Sequence, residues 1–283
     1  MIRYTIWIVS PPNYSHSRAF DEVATSLHAA FRALDLDAAI VRDPSDLGDI
    51  TIVLGCNLLW AVTVPKSKRL ILFNLEQIAP NSPWLTSEYI AMLRRYEVWD
   101  FSKSNIAELA RMGINARYCG IGYMPVLTRI PAASEDIDVL FVGSVNERRI
   151  AVFKQIAALG IKLDVRTDAY GETRDSFVAR SKIVLNLHFY ESRVFEIVRV
   201  SYLLANQKCV VSEIGSDAQV ESQFSPGIAF ASYPKLAETC LQLLRNPSAR
   251  RDVAKAGFDR ITALPQTEYL RQALSVQQAQ KEH

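Results

Sequence analysis

Four short polar segments, each placed directly after an apolar run, hold the side chains of this sequence that could do chemistry. The richest is Asn186-Leu187-His188-Phe189-Tyr190-Glu191-Ser192-Arg193-Val194-Phe195-Glu196, with Arg199 three residues further on. At i, i+3 spacing Arg193, Glu196 and Arg199 would share one face of a helix that begins at Arg193. On a solvated surface such a ladder is worth only roughly tenths of a kcal/mol. The remainder of the helix (Ile197, Val198, Val200, Leu203, Leu204) is apolar, however, and a buried helix that starts with charges points to a ligand.

The second segment, Phe141-Val142-Gly143-Ser144-Val145-Asn146-Glu147-Arg148-Arg149, has a glycine just past a strand. That lets backbone N–H groups approach an anion, backed by the dipole of the next helix. Arg148 and Arg149 fall in that helix's first turn, where a cation opposes the dipole. An anionic partner accounts for them, and a diphosphate fits.

The third, Asn74-Leu75-Glu76-Gln77-Ile78, presents Glu76 as a general base or acceptor-binding group, or as a carboxylate that caps the next segment. The fourth, Ser10-Pro11-Pro12-Asn13-Tyr14-Ser15-His16-Ser17-Arg18, presents His16. Its ordinary pKa near neutrality suits a general base toward an acceptor hydroxyl, the alternative being an exposed or helix-capping histidine. No G-x-G-x-x-G follows the first strand, which removes the main support for a dehydrogenase.

The elements that must position these groups alternate between apolar runs of strand length and stretches of helical period, the pattern of parallel sheets. Strands are predicted at Tyr4–Val9, Ala38–Val41, Ile50–Leu54, Arg69–Phe73, Glu97–Phe101 and Ala116–Cys119, and helices at Ala19–Leu34, Ser87–Arg95 and Ser104–Met112. A stretch without period, Gly122–Asp136, contains Pro125, Pro131, Ala132, Ala133 and Ser134 and is expected to link two lobes. Alternation then resumes with strands at Asp138–Val142, Lys162–Arg166, Ile183–Leu187, Cys209–Ser212 and Gly227–Ala231. The intervening helices are Glu147–Leu159, Arg174–Arg180 and Arg193–Ala205, and three more follow the last strand before a polar tail, Gln277–His283. The expected fold is α/β, with two Rossmann-like lobes over residues 1–128 and 129–283 and a cleft between them. One continuous doubly wound sheet is the competing architecture. In such sheets ligands sit beyond the carboxyl ends of the strands, where all four segments fall.

Bulk properties narrow the partners. With 32 basic against 30 acidic residues the net charge is +2, too small an excess for a grip on nucleic acid. Cys56, Cys119, Cys209 and Cys240 show no C-x-x-C spacing and read as buried, reduced thiols of a cytoplasmic protein. Four histidines, one of them terminal, are too few for a histidine-rich metal site, and no metal is expected. No run approaches a spanning helix of about 20 apolar residues, and the opening residues read as a strand rather than a signal peptide. Loose attachment to the inner face of a membrane is compatible with this.

The segments Val139–Ser144, Asn186-Leu187-His188, Arg193-Val194-Phe195-Glu196 and Cys209-Val210-Val211-Ser212-Glu213 resemble the carboxy-terminal lobe of group-1-type bacterial glycosyltransferases of the GT-B fold. Tyr14–Ser17, Asn74–Gln77 and Val98-Trp99-Asp100-Phe101-Ser102 resemble the first lobe of the same group. The resemblance implies transfer of a sugar from a nucleotide diphosphate donor to an acceptor that is a glycan, a lipid-linked carrier or a small molecule. It places such an enzyme in polysaccharide biosynthesis, with no cofactor beyond the nucleotide-sugar co-substrate and no metal. It assigns Glu196 to the donor ribose, Arg148 or Arg149 to the phosphates, Gly143-Ser144 to backbone contacts, and His188 and Arg193 to the donor site. A first-lobe base, His16 before Glu76, would take the acceptor proton if the reaction inverts. The family's two glutamates eight positions apart are not reproduced, since Val194 and Tyr202 occupy those places. A non-hydrolysing nucleotide-sugar epimerase and a non-catalytic sugar-nucleotide or glycan-binding protein are the alternatives.

Overall fold

The computed structural model describes residues 2–64, 69–79 and 82–279. It is α/β and holds two wholly parallel sheets, of six and five strands, one in each of two compact units. The first unit comprises Met1–Val126 together with Leu264–His283, the second Leu127–Ala263.

In the first unit the strands are β1 (Tyr4–Ile8), β2 (Ala38–Val41), β3 (Ile50–Leu54), β4 (Arg69–Asn74), β5 (Glu97–Asp100) and β6 (Ala116–Tyr118), in the spatial order β2-β1-β3-β4-β5-β6. Every residue of β1 and β3 is buried, as expected of parallel strands covered on both faces. Where polar side chains enter this layer they pair: Thr5 and Thr51 share a 2.6 Å hydroxyl contact across adjacent strands. Helix α1 (Asp21–Ala33) buries Val23, Ala24, Leu27, Ala30 and Phe31, an apolar stripe at helical spacing. Helices α2 (Ser87–Arg95) and α3 (Lys103–Arg111) begin at Thr86 and Ser102, whose hydroxyls accept the Tyr89 and Asn105 backbone N–H at 3.2 and 3.3 Å. Gly113, at φ 74°, follows the end of α3 in the left-handed region that glycine adopts freely.

The second unit contains β7 (Ile137–Val142), α4 (Glu147–Ala158), β8 (Leu163–Arg166), α5 (Gly171–Arg180), β9 (Ser181–Asn186), α6 (Ile197–Ala205), β10 (Val210–Glu213), α7 (Ala218–Ser222), β11 (Ala229–Ala231), α8 (Leu236–Arg245) and α9 (Pro247–Thr262). Its strand order is β11-β10-β9-β7-β8. The first strand of each unit therefore lies between its second and third, which puts a switch point at the carboxyl ends of β1/β3 and of β7/β9. Of the segment expected as a linker, residues 127–130 are tied to the second unit. Thr128 Oγ1 donates to the Ala205 carbonyl at 2.8 Å, and the Arg129 and Ile130 N–H groups both donate to Asn206 Oδ1 at 2.9 Å.

Two expectations change. The helix expected from Arg193 starts at Ile197. Arg193 itself takes φ 47°, and Phe195 leaves the helical path to pack between Phe224 and Phe230, ring centroids 5.4 and 5.8 Å away. The closing helix α10 (Gln266–Ala279), expected with the second lobe, belongs to the first unit. The Gln266 side chain joins it there, accepting from the Gly122 N–H at 2.7 Å and donating to the Gly120 carbonyl at 3.0 Å. Of the polar tail, residues 280–283 lie outside the described residues. All four cysteines are buried and free. Among the described residues no helix is long and apolar enough to cross a membrane.

Leu270 of α10 is fully buried. All four tryptophans (Trp7, Trp60, Trp84, Trp99) belong to the first unit, so their fluorescence reports on it. Leu270→Ala should lower the urea midpoint of that signal, with a loss of about 2–5 kcal/mol from the cavity it leaves. An unchanged midpoint would show that α10 contributes nothing to the first unit's stability.

Candidate functional site

In the second unit, polar groups gather at the carboxyl ends of β7, β9 and β10. Asn146 caps α4 by accepting the Arg149 N–H at 3.0 Å, which fixes the helix's first turn beside the switch point. Arg148 and Arg149 leave that turn in different directions. Arg148 forms a two-pronged ion pair with the buried Glu213 at the end of β10, and it lies 4.2 Å from the centroid of the Tyr233 ring. Its guanidinium also donates to the His188 carbonyl at 3.2 Å. The hydrogen bond that Arg148 donates to the Glu213 carboxylate raises the Arg148 pKa above its ordinary value.

Arg149 is 1% exposed. Its guanidinium donates to the carbonyls of Ser144, at 2.6 Å, and Leu187, and sits about 5 Å from the Phe141 and Phe189 ring centroids. Burial, and then repulsion from Arg199, push its pKa down to about 10. Glu196 lies 3.8 Å from Arg149 and 3.0 Å from Arg199 Nη1, so one carboxylate serves two guanidinium groups. The 3.0 Å contact lies outside hydrogen-bond geometry, and Glu196 Oε2 keeps an unfilled acceptor site. Arg199 also donates to Asn186 Oδ1 at 3.3 Å.

These groups face a bare backbone position. Gly143 has φ 145°, which side-chain-bearing residues rarely adopt. A side-chain carbon there would lie 3.5 Å from Arg199 Nη2 and 3.7 Å from Arg149 Nη1. Two guanidinium groups and the Phe141 ring, also 3.5 Å away, thus close around the position that a glycine leaves without a side chain, next to Ser144.

His188 is fully buried and burial lowers its pKa, which keeps the imidazole neutral. Nε2 lies 3.2 Å from the Glu213 carbonyl and must carry the proton, which leaves Nδ1 as a buried acceptor without a partner. Arg193 stands apart: it is exposed, precedes the helix, and contributes its carbonyl to the Ser216 N–H at 2.9 Å. The three-residue charge face expected on the helix therefore reduces to Glu196 and Arg199.

In the first unit the two candidates differ. His16 lies exposed in a 3-10 turn (Ser15–Phe20), its ring edge-on to Tyr14 at 5.4 Å. Glu76 follows β4 and accepts from Asn57 Nδ2 at 3.2 Å. Burial pushes its carboxyl up to about 7. Behind it lies a network that sequence reasoning missed. Asn74 and Asp100 end adjacent strands in register and touch at 2.6 Å, Nδ2 to Oδ2. Asn105 donates to Asp100 Oδ1 at 3.1 Å, and Tyr89 donates to Asn74 Oδ1 at 2.8 Å. Burial pushes Asp100 up to about 7 as well, against three hydrogen bonds that favour its charged form. The available signal was an apolar strand that ends on a carboxylate, Glu97-Val98-Trp99-Asp100. Among the described residues no group of three or more His, Cys, Asp or Glu is placed to hold a metal ion.

Comparison with known proteins identifies this architecture. No family model matches the chain. A curated relative, the uncharacterized protein L140 of Acanthamoeba polyphaga mimivirus, is 24% identical over 209 residues, 69% of this chain and 66% of that protein. Sucrose-phosphate synthase from Thermosynechococcus elongatus superposes with a TM-score of 0.62 at 12% identity, over 100% of this chain and 99% of the other. The Anabaena protein HepE, in a crystal with UDP and glucose, gives 0.59 at 9% identity over 99% and 100%. TarM gives 0.60 at 13% identity over 80% of this chain and 54% of its own. The fold is GT-B. This chain spans about two thirds of the viral relative and about half of TarM. The GT-B likeness, at 9–13% identity, is one of architecture, and the roles of individual side chains rest on the geometry above.

The raised carboxyls set a sign for pH dependence. Glu76 titrates near 7 in the folded protein against 4.5 ordinarily, so the native state binds more protons than the unfolded one in between. Its contribution to stability is therefore greatest below about 4.5 and is lost as pH rises toward 7. Between pH 5 and 8, Glu76→Gln should lose on the order of 1–3 kcal/mol less first-unit stability than the parent. Urea titrations followed by tryptophan fluorescence check this, and identical pH dependence would remove the assignment.

Proposed function

We propose that this chain is a glycosyltransferase whose second unit binds a nucleoside diphosphate sugar at the switch point between β7 and β9. The observation that carries the reading is the convergence of Arg149 and Arg199 on the bare face of Gly143, with one carboxylate between them. Two partly desolvated guanidinium groups with a single shared counter-charge fit a diphosphate better than a neutral ligand. A donor phosphate would take charge-assisted hydrogen bonds from the half-buried Arg199 and backbone contacts at Gly143-Ser144, with the buried Arg149 adding its positive field from behind. Arg148 holds the site in shape through Glu213, and the phosphate charge is met by Arg199 in contact and by Arg149 through that field.

In this reading Glu196 serves the ribose and His188 the sugar; their Oε2 and Nδ1 lack hydrogen-bond partners but are buried, so each meets a hydroxyl only after a local opening of the site. Arg193, exposed on the preceding loop, supplies outlying positive charge. The UDP and glucose held by HepE make UDP and UDP-glucose the first ligands to try.

Transfer then runs as a displacement at the anomeric carbon. The acceptor oxygen attacks, the bond from that carbon to the diphosphate oxygen breaks, and the nucleoside diphosphate leaves with its new charge facing Arg149 and Arg199. A base takes the acceptor proton. Glu76 is the better placed in energy, because a carboxyl near 7 can both accept and release a proton at neutral pH. His16 is the other candidate. The donor is a co-substrate and the reaction uses no metal in this scheme. The acceptor is a glycan, a lipid-linked carrier or a small molecule, which is compatible with work at a membrane's inner face.

Two measurements test the reading. Arg199→Ala removes charge-assisted hydrogen bonds of ~1.5–3 kcal/mol and should weaken UDP binding about tenfold to a hundredfold by calorimetry. Parent-like affinity for UDP in this variant would place the diphosphate elsewhere. UDP release from UDP-glucose should survive EDTA. Complete loss in chelator, restored by manganese or magnesium, would overturn the metal-independent scheme.

A further inference from the structure

The loop that carries Glu76 is held by an unusual arrangement of buried amides. Asn74 Oδ1 accepts the Glu76 N–H at 3.1 Å, and Asn74 Nδ2 donates to the Glu76 carbonyl at 2.9 Å. Asn105 Nδ2 donates to the same carbonyl at 2.9 Å, and Asn105 Oδ1 accepts the Ile78 N–H at 3.0 Å. Two side chains thus satisfy three backbone groups of residues 76–78. Each amide can fit in two ways related by a flip, and only one puts oxygen toward the N–H groups and nitrogen toward the carbonyl.

Asp100 makes that choice. Its Oδ2 accepts from Asn74 Nδ2 at 2.6 Å, and its Oδ1 accepts from Asn105 Nδ2 at 3.1 Å and from the Ser102 N–H at 2.8 Å. An ionised carboxylate only accepts, so both amides must turn nitrogen toward it. Their oxygens are then aimed at Glu76, Ile78 and Tyr89. We propose that Asp100 is the positioning residue of the first unit, setting through Asn74 and Asn105 the conformation of residues 76–78 and with it the placement of the Glu76 carboxyl. Asp100 touches no reacting atom in this role. The role as part of catalysis rests on the reading of Glu76 as the base.

Charge is what makes the arrangement single-valued. A protonated or amidated residue 100 would turn one donor toward a donor, setting that contact against the bonds that the amides make to residues 76–78. A flipped Asn74 would face the Glu76 carbonyl with oxygen and the Glu76 N–H with nitrogen, losing both bonds. The titratable groups around Asp100 are few. Cys56, next to β3, and Tyr89 of α2 contact each other at 3.0 Å, and burial pushes both pKa values well up, so both stay neutral through the neutral range. Glu76 belongs to the loop itself. Lys103, at the start of α3, is turned to the Tyr118 ring at 5.5 Å. Asp100 is thus the charge that orders the cluster, and its carboxyl, raised to about 7 by burial, exchanges that charge for a proton near neutrality.

The experiment is amide hydrogen exchange read by NMR on the whole chain. In Asp100→Asn the Glu76 and Ile78 amides should exchange at least about tenfold faster, while Ile6 in β1 and Ile52 in β3 keep their protection. In the parent, the protection factors of Glu76 and Ile78 should change between pH 8 and 5 while those of Ile6 and Ile52 do not, a readout that needs no variant to fold. Unchanged protection at both amides in the variant, or in the parent across that range, overturns the proposal. The base reading is judged separately by Glu76→Gln on UDP release from UDP-glucose. If that variant keeps the parent rate while Asp100→Asn still loosens the loop, Glu76 is not the base but Asp100 remains the positioning residue. If Glu76→Gln abolishes release, Asp100→Asn should reduce kcat more than KM for UDP-glucose and shift the midpoint of the pH–rate profile. A loosened loop with an unaltered profile would separate Asp100 from catalysis.

Discussion

A guanidinium group cannot lose its water without finding acceptors, and the burial of Arg149 constrains almost everything around it. Its donors reach carbonyls at the ends of two strands, Ser144 after β7 and Leu187 after β9. Those carbonyls are free to accept because parallel strands stop there and the ladder no longer uses them. The aromatic rings of Phe141 and Phe189 cover its faces. Removing this one side chain would strip the strand-end carbonyls of their partner and leave Glu196 with Arg199 alone. The switch point of the second sheet is thus built around a cation, and the side-chain-free position at Gly143 lies directly against it.

The first unit solves the same problem with the opposite charge. Strand ends at β4 and β5 carry Asn74 and Asp100 in register, just as β9 and β10 carry Asn186 and Ser212, which touch at 3.0 Å. In both sheets the last residue of a buried strand is polar and pairs sideways with its neighbour. At the first unit's edge the charge that remains is carboxylate, and with no cation among the described residues lowering either group, burial drives Asp100 and Glu76 upward. At the second unit's edge the surplus is guanidinium, and Arg149 is driven downward. One sheet edge holds groups near the point of taking a proton, the other holds groups that gain from an anion.

The sequence made part of this legible, and the division has a physical basis. An apolar run that stops at a polar residue marks a strand end, which is why segments near Glu76, Gly143 and His188 could be singled out. Local capping was also readable, as Ser102 and the glycine after α3 show. What could not be read depends on contacts between distant residues. Arg148 finds Glu213 across 65 positions, and nothing in either local pattern announces the pairing. The start of α6 was misplaced because periodicity cannot register the pull of Phe224 and Phe230 on Phe195. Helix α10 reads as a helix from its own residues, but which sheet it covers is decided by Gly120 and Gly122, far away in sequence. Asp100 ends a strand like the other polar residues, but its importance lies in the amides that it orients, which no local pattern shows.

The energetic position of Arg149 bears on how an anion would be held. At a pKa of about 10 the group remains charged at neutral pH, so the protein carries a desolvated cation whose nearest carboxylate is shared with Arg199. Hydrogen bonds to carbonyl dipoles hold that charge in place but do not neutralise it. An anion placed against Gly143 would lower the mutual repulsion of Arg149 and Arg199, and part of its binding energy is this relief rather than a new contact. Burial also shields the interaction from salt, whereas the attraction from an exposed cation such as Arg193 is screened within about 8–10 Å at physiological ionic strength. Long-range steering and final grip would therefore be separable for such an anion: the first would rest on the exposed arginine and fade with salt, and the second on the buried Arg149 and half-buried Arg199 and be screened less.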